Sequence, residues 1–471
     1  MPLYFTSDSI GTGIRADLGT TFEETVFVGQ EATLVSTNGN HAVAGTGDGQ
    51  IATIRGELYG TGVTTLELIG DNVMIDLSDT GSVTNTGTDI GNEAVSIAGD
   101  NATLHNAGTI SGRVGAYIYG QEGSLVNYGT ISSYATILDG SSMYAVRMRA
   151  FFANTSDEIS TIENHGILSS NFLAIDADND ANGTGSTNFA LSATHVTNTG
   201  HIRGDIRLGG MDDEVLNSGH IDGDIYMGAD DDIYYGVNGT MEYGANIYMG
   251  SGDDAVEGGD GRERVYDGSG DDEVELGGGN DYVRAGGGAD SYDGGAGRDY
   301  ISYYDSSNGI RIDLRDNEIS RSWGSNDTIN SFESASGSKT GDDRMLGSDE
   351  ANTLQSYGGD DALYGRGGHD KLRGGDGEDY FDGGHGDDLL WGGDDEDVFH
   401  FDRGEGKDII KDFENNVDTI ELDNFAFANT AAALAIATEA GGNVIFDFGE
   451  DGMLIIDNAT IAQLGNDLVI V

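Results

Sequence analysis

A chain of 471 residues with 83 acidic and 22 basic side chains, 77 glycines, one proline and no cysteine falls outside most globular classes. Its formal net charge of −61 opposes compaction unless bound cations neutralise it, and it argues against nucleic acid as a partner. Without cysteine there are no disulfides or thiolate metal sites, so oxygen-ligated metal is the staple that remains; 37% apolar residues in β-branched alternation give the neutralised chain something to bury.

The opening MPLYFTSDSIGTG lacks the basic and apolar segments of a signal peptide, and no run is long enough to cross a bilayer. Export is therefore expected by another route. In residues 1–30, LYFTS and ETVFVG read as strands that either cap the fold or offer an edge.

Residues 1–248 carry a loose phrase, Φ-x-N-x-G-x-I, as VTNTGTD, LHNAGTI, LVNYGTI, IENHGIL, VTNTGHI and VLNSGHI. Its glycines, Gly87, Gly108, Gly129, Gly166, Gly200 and Gly219, are spaced by 21, 21, 37, 34 and 19 residues. That spacing predicts a parallel β-helix with coils of roughly 20 residues and insertions in two of them. The segment resembles the passenger-like stalks of bacterial surface proteins. Asn85, Asn106, Asn127, Asn164, Asn198 and Asn217 are expected to form an inward amide ladder rather than a ligand row.

The first insertion holds YAVRMRAFFANT, a basic and aromatic island with Arg147, Arg149, Phe151 and Phe152. It reads as a loop that packs its aromatics on the helix, with docking of an acidic partner as the alternative. Near the end of the region, IRLGGMDDEV, IYMGADDDIY and IYMGSGDDAV align at Leu208, Met227 and Met249. The long coils gain acidic turns before they shorten, which predicts one continuous solenoid running from the β-helix into the shorter repeats.

From residue 249 to 302 the period is nine: MGSGDDAVE, GGDGRERVY, DGSGDDEVE, LGGGNDYVR, AGGGADSYD and GGAGRDYIS. Residues 303–337 break the period with GIRIDL and a serine-rich stretch, read as a loop or hairpin. It resumes from 338 to 400 as SKTGDDRML, GSDEANTLQ, SYGGDDALY, GRGGHDKLR, GGDGEDYFD, GGHGDDLLW and GGDDEDVFH.

Position 6 of these units carries Asp254, Glu263, Asp272, Asp281, Asp290, Asp299, Asp343, Asn352, Asp361, Asp370, Asp379, Asp388 and Asp397. Position 8 carries one large apolar residue, from Val256 to Phe399. One such residue in nine suits a very short strand feeding a thin core, with glycines making the turns.

The pattern G-G-x-G-x-D-x-U-x, with U a large apolar residue, closely resembles the RTX (repeats-in-toxin) family. The resemblance implies an all-β fold: a parallel β-helix continuing into calcium-binding parallel β-rolls. It also implies that position 6 carboxylates and glycine-turn carbonyls of successive turns bind Ca2+, a hard ion of six or more oxygen ligands. Two nonapeptides make one turn, so equivalent residues stack 18 apart as 254/272/290, 263/281/299, 343/361/379/397 and 352/370/388. About nine calcium ions fit the gaps. Asp361 then lines two gaps and Asp397 one; Glu263 and Asn352 should weaken or abolish the sites they bound, and Glu350 and Asp395 replace the position 4 glycine.

Residues 401–471 change composition again: TIELDNF, an alanine-rich TAAALAIATEA after Asn429, NVIFDF, MLIID and NDLVIV. They predict strands, a hairpin and one helix that cap the roll. They resemble the C-terminal caps of RTX proteins that leave by type I secretion with an uncleaved signal.

The sequence contains no H-E-x-x-H and no Walker-type G-x-x-x-x-G-K, and no catalytic residue stands out. The expectation is a secreted, non-enzymatic structural protein that self-associates into a surface layer, filament or biofilm matrix, or serves as an adhesin. Calcium would fold it only outside the cell. The alternative is a polysaccharide-binding or polysaccharide-modifying protein, since alginate epimerases and many lyases pair a β-helix with RTX modules. For that reading Tyr117, Tyr119, Tyr144, Arg147 and His165 are the candidates.

Overall fold

Parallel strands make up nearly all of the regular structure in a computed structural model of the chain. It describes every residue except 1–2, 6–8, 13–15, 19–23, 38–40, 63, 88–91, 134–143, 150–158, 178–191 and 322–326. The chain divides into two units, Met1–Glu263 and Arg264–Val471.

In the first unit each coil lays down up to three short strands, as in Thr103–Asn106, Thr109–Gly112 and Val114–Tyr119. Strands of successive coils pair in parallel, so alternate side chains point inward and stack in register. One column runs through Val26, Ala52, Ile75, Leu104, Leu125, Ile162, Val196, Val215 and Tyr234, all buried. Burial of each such residue contributes about 1.5–3 kcal/mol. The column keeps its register across the first insertion: Leu125 pairs with Ile162 across 37 residues.

The asparagine ladder is present. The Nδ2 of Asn106 donates to Oδ1 of Asn127 at 2.7 Å, and Asn127 to Asn164, Asn164 to Asn198 and Asn198 to Asn217, each at 2.8 Å. Asn85 departs from it, donating instead to the carbonyls of Gly62 and Glu93. Tyr144–Arg149 corrects another expectation: it is a strand of the helix, with Val146 in register between Ala116 and Ile175, and not a packing loop. Phe151, Phe152 and the Arg149 side chain lie outside the described residues.

In the second unit a coil has two strands and 18 residues: Leu363 lies beside Phe381, and Leu372 beside Leu390. Position 8 side chains from Val265 to Phe399 are buried there and form most of the thin core, joined by residues such as Leu276 and Ala285. The segment between the two repeat blocks does more than loop. Ile310–Asp313 and Glu318–Arg321 form the expected antiparallel hairpin, but Thr328–Asn330 and Ser334–Ser336 extend the roll by parallel pairing with Ser291–Asp293 and Tyr300–Ser302. Ile329 and Ala335 take the inward places, which makes the two blocks one roll.

The hairpin is clamped by Arg366, whose two terminal nitrogens meet the carboxylate of buried Asp313 at 2.6 and 2.9 Å. Burial alone would raise the Asp313 pKa, but the guanidinium outweighs it and holds the group below the ordinary carboxylate range. Past the repeats, Asn429 caps the predicted helix by accepting from the Ala432 N–H at 3.0 Å. The helix spans only Thr430–Leu434. Thr438–Ala440 instead pairs with Asn443–Asp447 across the Gly441–Gly442 turn, so the strand competes successfully for the end of the alanine run.

Candidate calcium sites along the roll

Each roll coil brings its two position 6 residues to two corners, one before each sheet, two residues before the inward apolar one. All thirteen predicted ligands are buried, with relative exposures of 3% or less. In the second unit Oδ1 of each accepts from the backbone N–H of its equivalent 18 residues earlier. The distances are 3.1 Å for Asp272 to Asp290, 2.8 Å for Asp281 to Asp299, 2.7 Å for Asp343 to Asp361 and 2.7 Å for Asn352 to Asp370. Asp361 to Asp379, Asp370 to Asp388 and Asp379 to Asp397 continue the rows at 2.9, 2.7 and 3.1 Å.

The other oxygen decides what these corners want. In Asp299, Asp370, Asp379 and Asp397 the Oδ2 atom is buried and has no hydrogen-bond donor. A buried carboxylate oxygen left so costs at least about 1–3 kcal/mol, more when charged. The glycine five residues upstream makes room for it: a Cβ on Gly374 or Gly392 would overlap the Oδ2 of Asp379 or Asp397. Burial first, then the adjacent carboxylate, pushes Asp370 and Asp379 up to about 8, while Asp343 and Asp397 rise to about 7. Rows of carboxylates with one oxygen turned away from every donor fit Ca2+, whose charge would offset both burial and mutual repulsion. These aspartates would hold the ion and the turn carbonyls would complete its shell.

The rows are longer than their sequence pattern. Asp290 is followed by Asp327, Asp299 by Glu333, Asp388 by Asp408 and Asp397 by Asp418, each accepting from the preceding backbone N–H. Asp397 is therefore an interior member and not the end of its row, which corrects the expectation that it lines a single gap. The signal for these residues was the Asp-x-U remnant, as in Asp408-Ile409-Ile410, still preceded by Gly404 and Gly406, and in Asp418-Thr419-Ile420, where the glycines are lost. Asp267 was also missed. It occupies a position 1 normally held by glycine, and it gathers with Asp272 and Asp290 so that three carboxylate oxygens lie within 4.8 Å of one another.

Asn352 spends its amide locally: Nδ2 donates to the Glu333 carbonyl at 3.0 Å, and Oδ1 accepts from the Ser348 N–H at 2.6 Å. In the first unit, Asp254 accepts from the Asp232 N–H at 2.8 Å and Asp232 from that of Asp213, also at 2.8 Å. A short row of the same kind thus stands in the long coils, at the acidic turns of the aligned phrases. Glu263 is buried in the same unit.

Of the five residues considered for polysaccharide chemistry, Tyr117, Tyr119, Tyr144 and Arg147 cluster, with the Tyr117 and Tyr119 ring centroids 5.8 Å apart, and His165 stands apart. Arg147 lies over the rings of Tyr144 and Tyr117, 4.9 and 5.7 Å from their centroids, and its Nε is 3.3 Å from Asp176. His165 stacks on Tyr128 instead, at 4.6 Å, in a turn beyond the strand that pairs with Ala193–Asn198.

A family model described as the RTX calcium-binding nonapeptide repeat (4 copies) matches residues 248–283, 266–301, 339–372, 364–399 and 373–410. No curated protein matches the chain. Among solved structures, the crystal structure of extracellular lipase LipA from Serratia marcescens aligns at 19% identity with a TM-score of 0.25. The alignment covers 50% of this chain and 45% of that one, so the chain spans less than half of the lipase, and the likeness carries no argument. On the matched repeats and the corner geometry they build, the chain carries RTX calcium-binding nonapeptide repeats over residues 248–301 and 339–410.

Proposed function

We propose that this is an extracellular structural protein whose folding and self-association are switched on by calcium, as a building block of a surface layer, filament or matrix. The observation that carries the reading is the run of stacked, buried carboxylates with donorless oxygens, which makes the roll a conditional fold. Extracellular calcium modules bind at about 0.1–1 mM, so the roll stays open inside a cell and closes outside it, which suits a chain threaded through a type I channel. Self-association is supported by the first coil. Among the described residues, its strands Leu3–Phe5, Ser9–Thr12 and Ala16–Asp17 each pair on one side only, and Tyr4 is 68% exposed. Electron microscopy and sedimentation in millimolar calcium should show sheets or filaments that disperse in chelator. A protein that remains monomeric at high concentration in calcium overturns the scaffold role.

A second reading, binding of an anionic polysaccharide, is favoured by one feature of the first unit. Tyr117, Arg147, Asp176, Arg207, Tyr226 and Tyr248 occupy one register column on successive coils. Arg207 lies 5.0 Å from the ring centroid of Tyr226, and Tyr226 and Tyr248 stack at 4.8 Å. Co-sedimentation with uronate polymers, and an assay for new double bonds or epimerisation, would separate binding from catalysis.

A further inference from the structure

Two consecutive coils of the first unit carry related phrases, Gly200-His201-Ile202-Arg203 and Gly219-His220-Ile221-Asp222. The isoleucines point inward and are buried, so the flanking residues face out. Parallel pairing places His201 beside His220 and Arg203 beside Asp222. Neighbouring strands of a sheet are about 4.8 Å apart, which brings side chains of equal register within reach of one ion.

We propose that His201, His220 and Asp222 form a site for a borderline divalent transition metal, with Zn2+ as the reference ion, separate from the calcium rows. One ligand atom from each of the three lies within 4.8 Å of the others. The Nε2 of His201 is 2.7 Å from Oδ2 of Asp222, and the Nε2 of His220 is 2.5 Å from Oδ1. Both imidazoles thus aim the same nitrogen at one carboxylate, where a metal would replace the bridging protons. Two imidazole nitrogens and a carboxylate oxygen select Zn2+, Co2+, Ni2+ or Cu2+ over Ca2+, which takes oxygen alone. Three protein ligands leave a coordination position for water or a donor from another molecule.

The site has an outer contact. Nδ1 of His220 is 2.7 Å from Oγ1 of Thr240, the next residue of the same register column. A hydroxyl accepting from Nδ1–H leaves Nε2 as the metal-binding nitrogen. The guanidinium of Arg203 stays farther off, with Nε 3.8 Å from Asp222 and the side chain 53% exposed. It restrains the carboxylate without filling the space between the imidazoles.

The test is a Co2+ titration of the calcium-loaded full-length chain, read by visible d–d absorption, with millimolar Ca2+ present to saturate carboxylate-only sites. The expected result is one equivalent bound with the intense band of four-coordinate Co2+, bleached by stoichiometric Zn2+. The double variant His201→Ala/His220→Ala should lose the band, Thr240→Val should weaken binding by about tenfold, and His105→Ala should change nothing. Circular dichroism in calcium checks that each variant is folded, and Asp222→Asn offers a milder removal of a ligand. Absence of the band in the parent chain, or a band that survives in the folded double variant, overturns the proposal.

Discussion

The two units face one physical problem, a polar side chain repeated at a coil corner, and solve it with different chemistry. In the β-helix the residue two places after the inward apolar one is asparagine, as in Leu104 and Asn106. Its amide both donates and accepts, so each amide from Asn106 to Asn198 finds its acceptor in the next asparagine. In the roll the residue two places before the apolar one is aspartate, as in Asp379 and Phe381. A carboxylate only accepts, and a row of them accumulates charge and donorless oxygens. The coil holding Asp213, Val215 and Asn217 has both corners at once and marks the handover. A neutral ladder stands alone, whereas an acidic one depends on a cation.

The largest effect expected from this difference is a split response to chelator. Removing calcium should strip hydrogen-exchange protection from residues 264–410 while leaving it in the coils between Leu66 and Asn217. Equal loss in both would refute the contrast. Acidity gives the same comparison a sign. The metal-free roll holds Asp370 and Asp379 at about 8 and Asp343 and Asp397 at about 7, above the ordinary carboxylate value near 4 of the unfolded chain. The raised groups stabilise the fold below that unfolded value, and the contribution is lost as pH rises through 7 to 8. In chelator the roll should therefore be more stable at pH 5 than at pH 8. In calcium the order should reverse, because protons compete with the ion. Melting curves at the two pH values, with and without calcium, check both arms.

Next in size is the clamp. Arg366→Ala leaves the buried Asp313 carboxylate with Arg311 as its remaining cation, at 2.9 Å, and it should destabilise the second unit by about 1–3 kcal/mol in saturating calcium. Close behind comes the ladder: Asn164→Ala removes the acceptor of Asn127 and the donor to Asn198 and should lower the stability of the first unit by about 2 kcal/mol. The ladder variant should respond identically with and without calcium, which denaturant titration of the chain in either condition would show.

Much of this was legible because both repeats write register into the sequence. A fixed period of nine put thirteen side chains on two alternating corners, and the Asn-x-Gly phrase located the ladder despite intervals of 37 and 34 residues. Legibility ended where geometry outlived the motif. Asp327, Glu333 and Asp418 keep the corner without glycines at positions 1, 2 and 4, and Asp408 keeps Gly404 and Gly406 but falls 20 residues after Asp388, out of the period; pairing with the previous turn holds the backbone there. Asn85 keeps the phrase and leaves the ladder because it lies on the other sheet, in register with Gly60, while the residue in register with Asn106 on the preceding coil is Leu77. Arg366 shows a third way to miss a role. It reads as a failed glycine at position 2, with φ of +71°, yet the side chain it gains pins a hairpin 53 residues away in sequence.

The smallest effect distinguishes tolerated departures from useful ones. Asp395 stands at position 4, where Gly377 and Gly386 have φ of +122° and +149°, and its own φ is +81°. An L-residue held there is strained by about 1 kcal/mol, somewhat less for aspartate, whose short polar chain suits this region. Arg366 offsets the same kind of strain with its clamp on Asp313, and among the described residues Asp395 makes no contact of that kind. Asp395→Gly should therefore raise the melting temperature slightly in saturating calcium, whereas Gly377→Ala at the equivalent position should lower it, because the added Cβ would overlap the carbonyl oxygen of Gly359. A fall in melting temperature for Asp395→Gly would mean that its side chain acts on the neighbouring calcium sites, and the departure at this turn would then be a functional one.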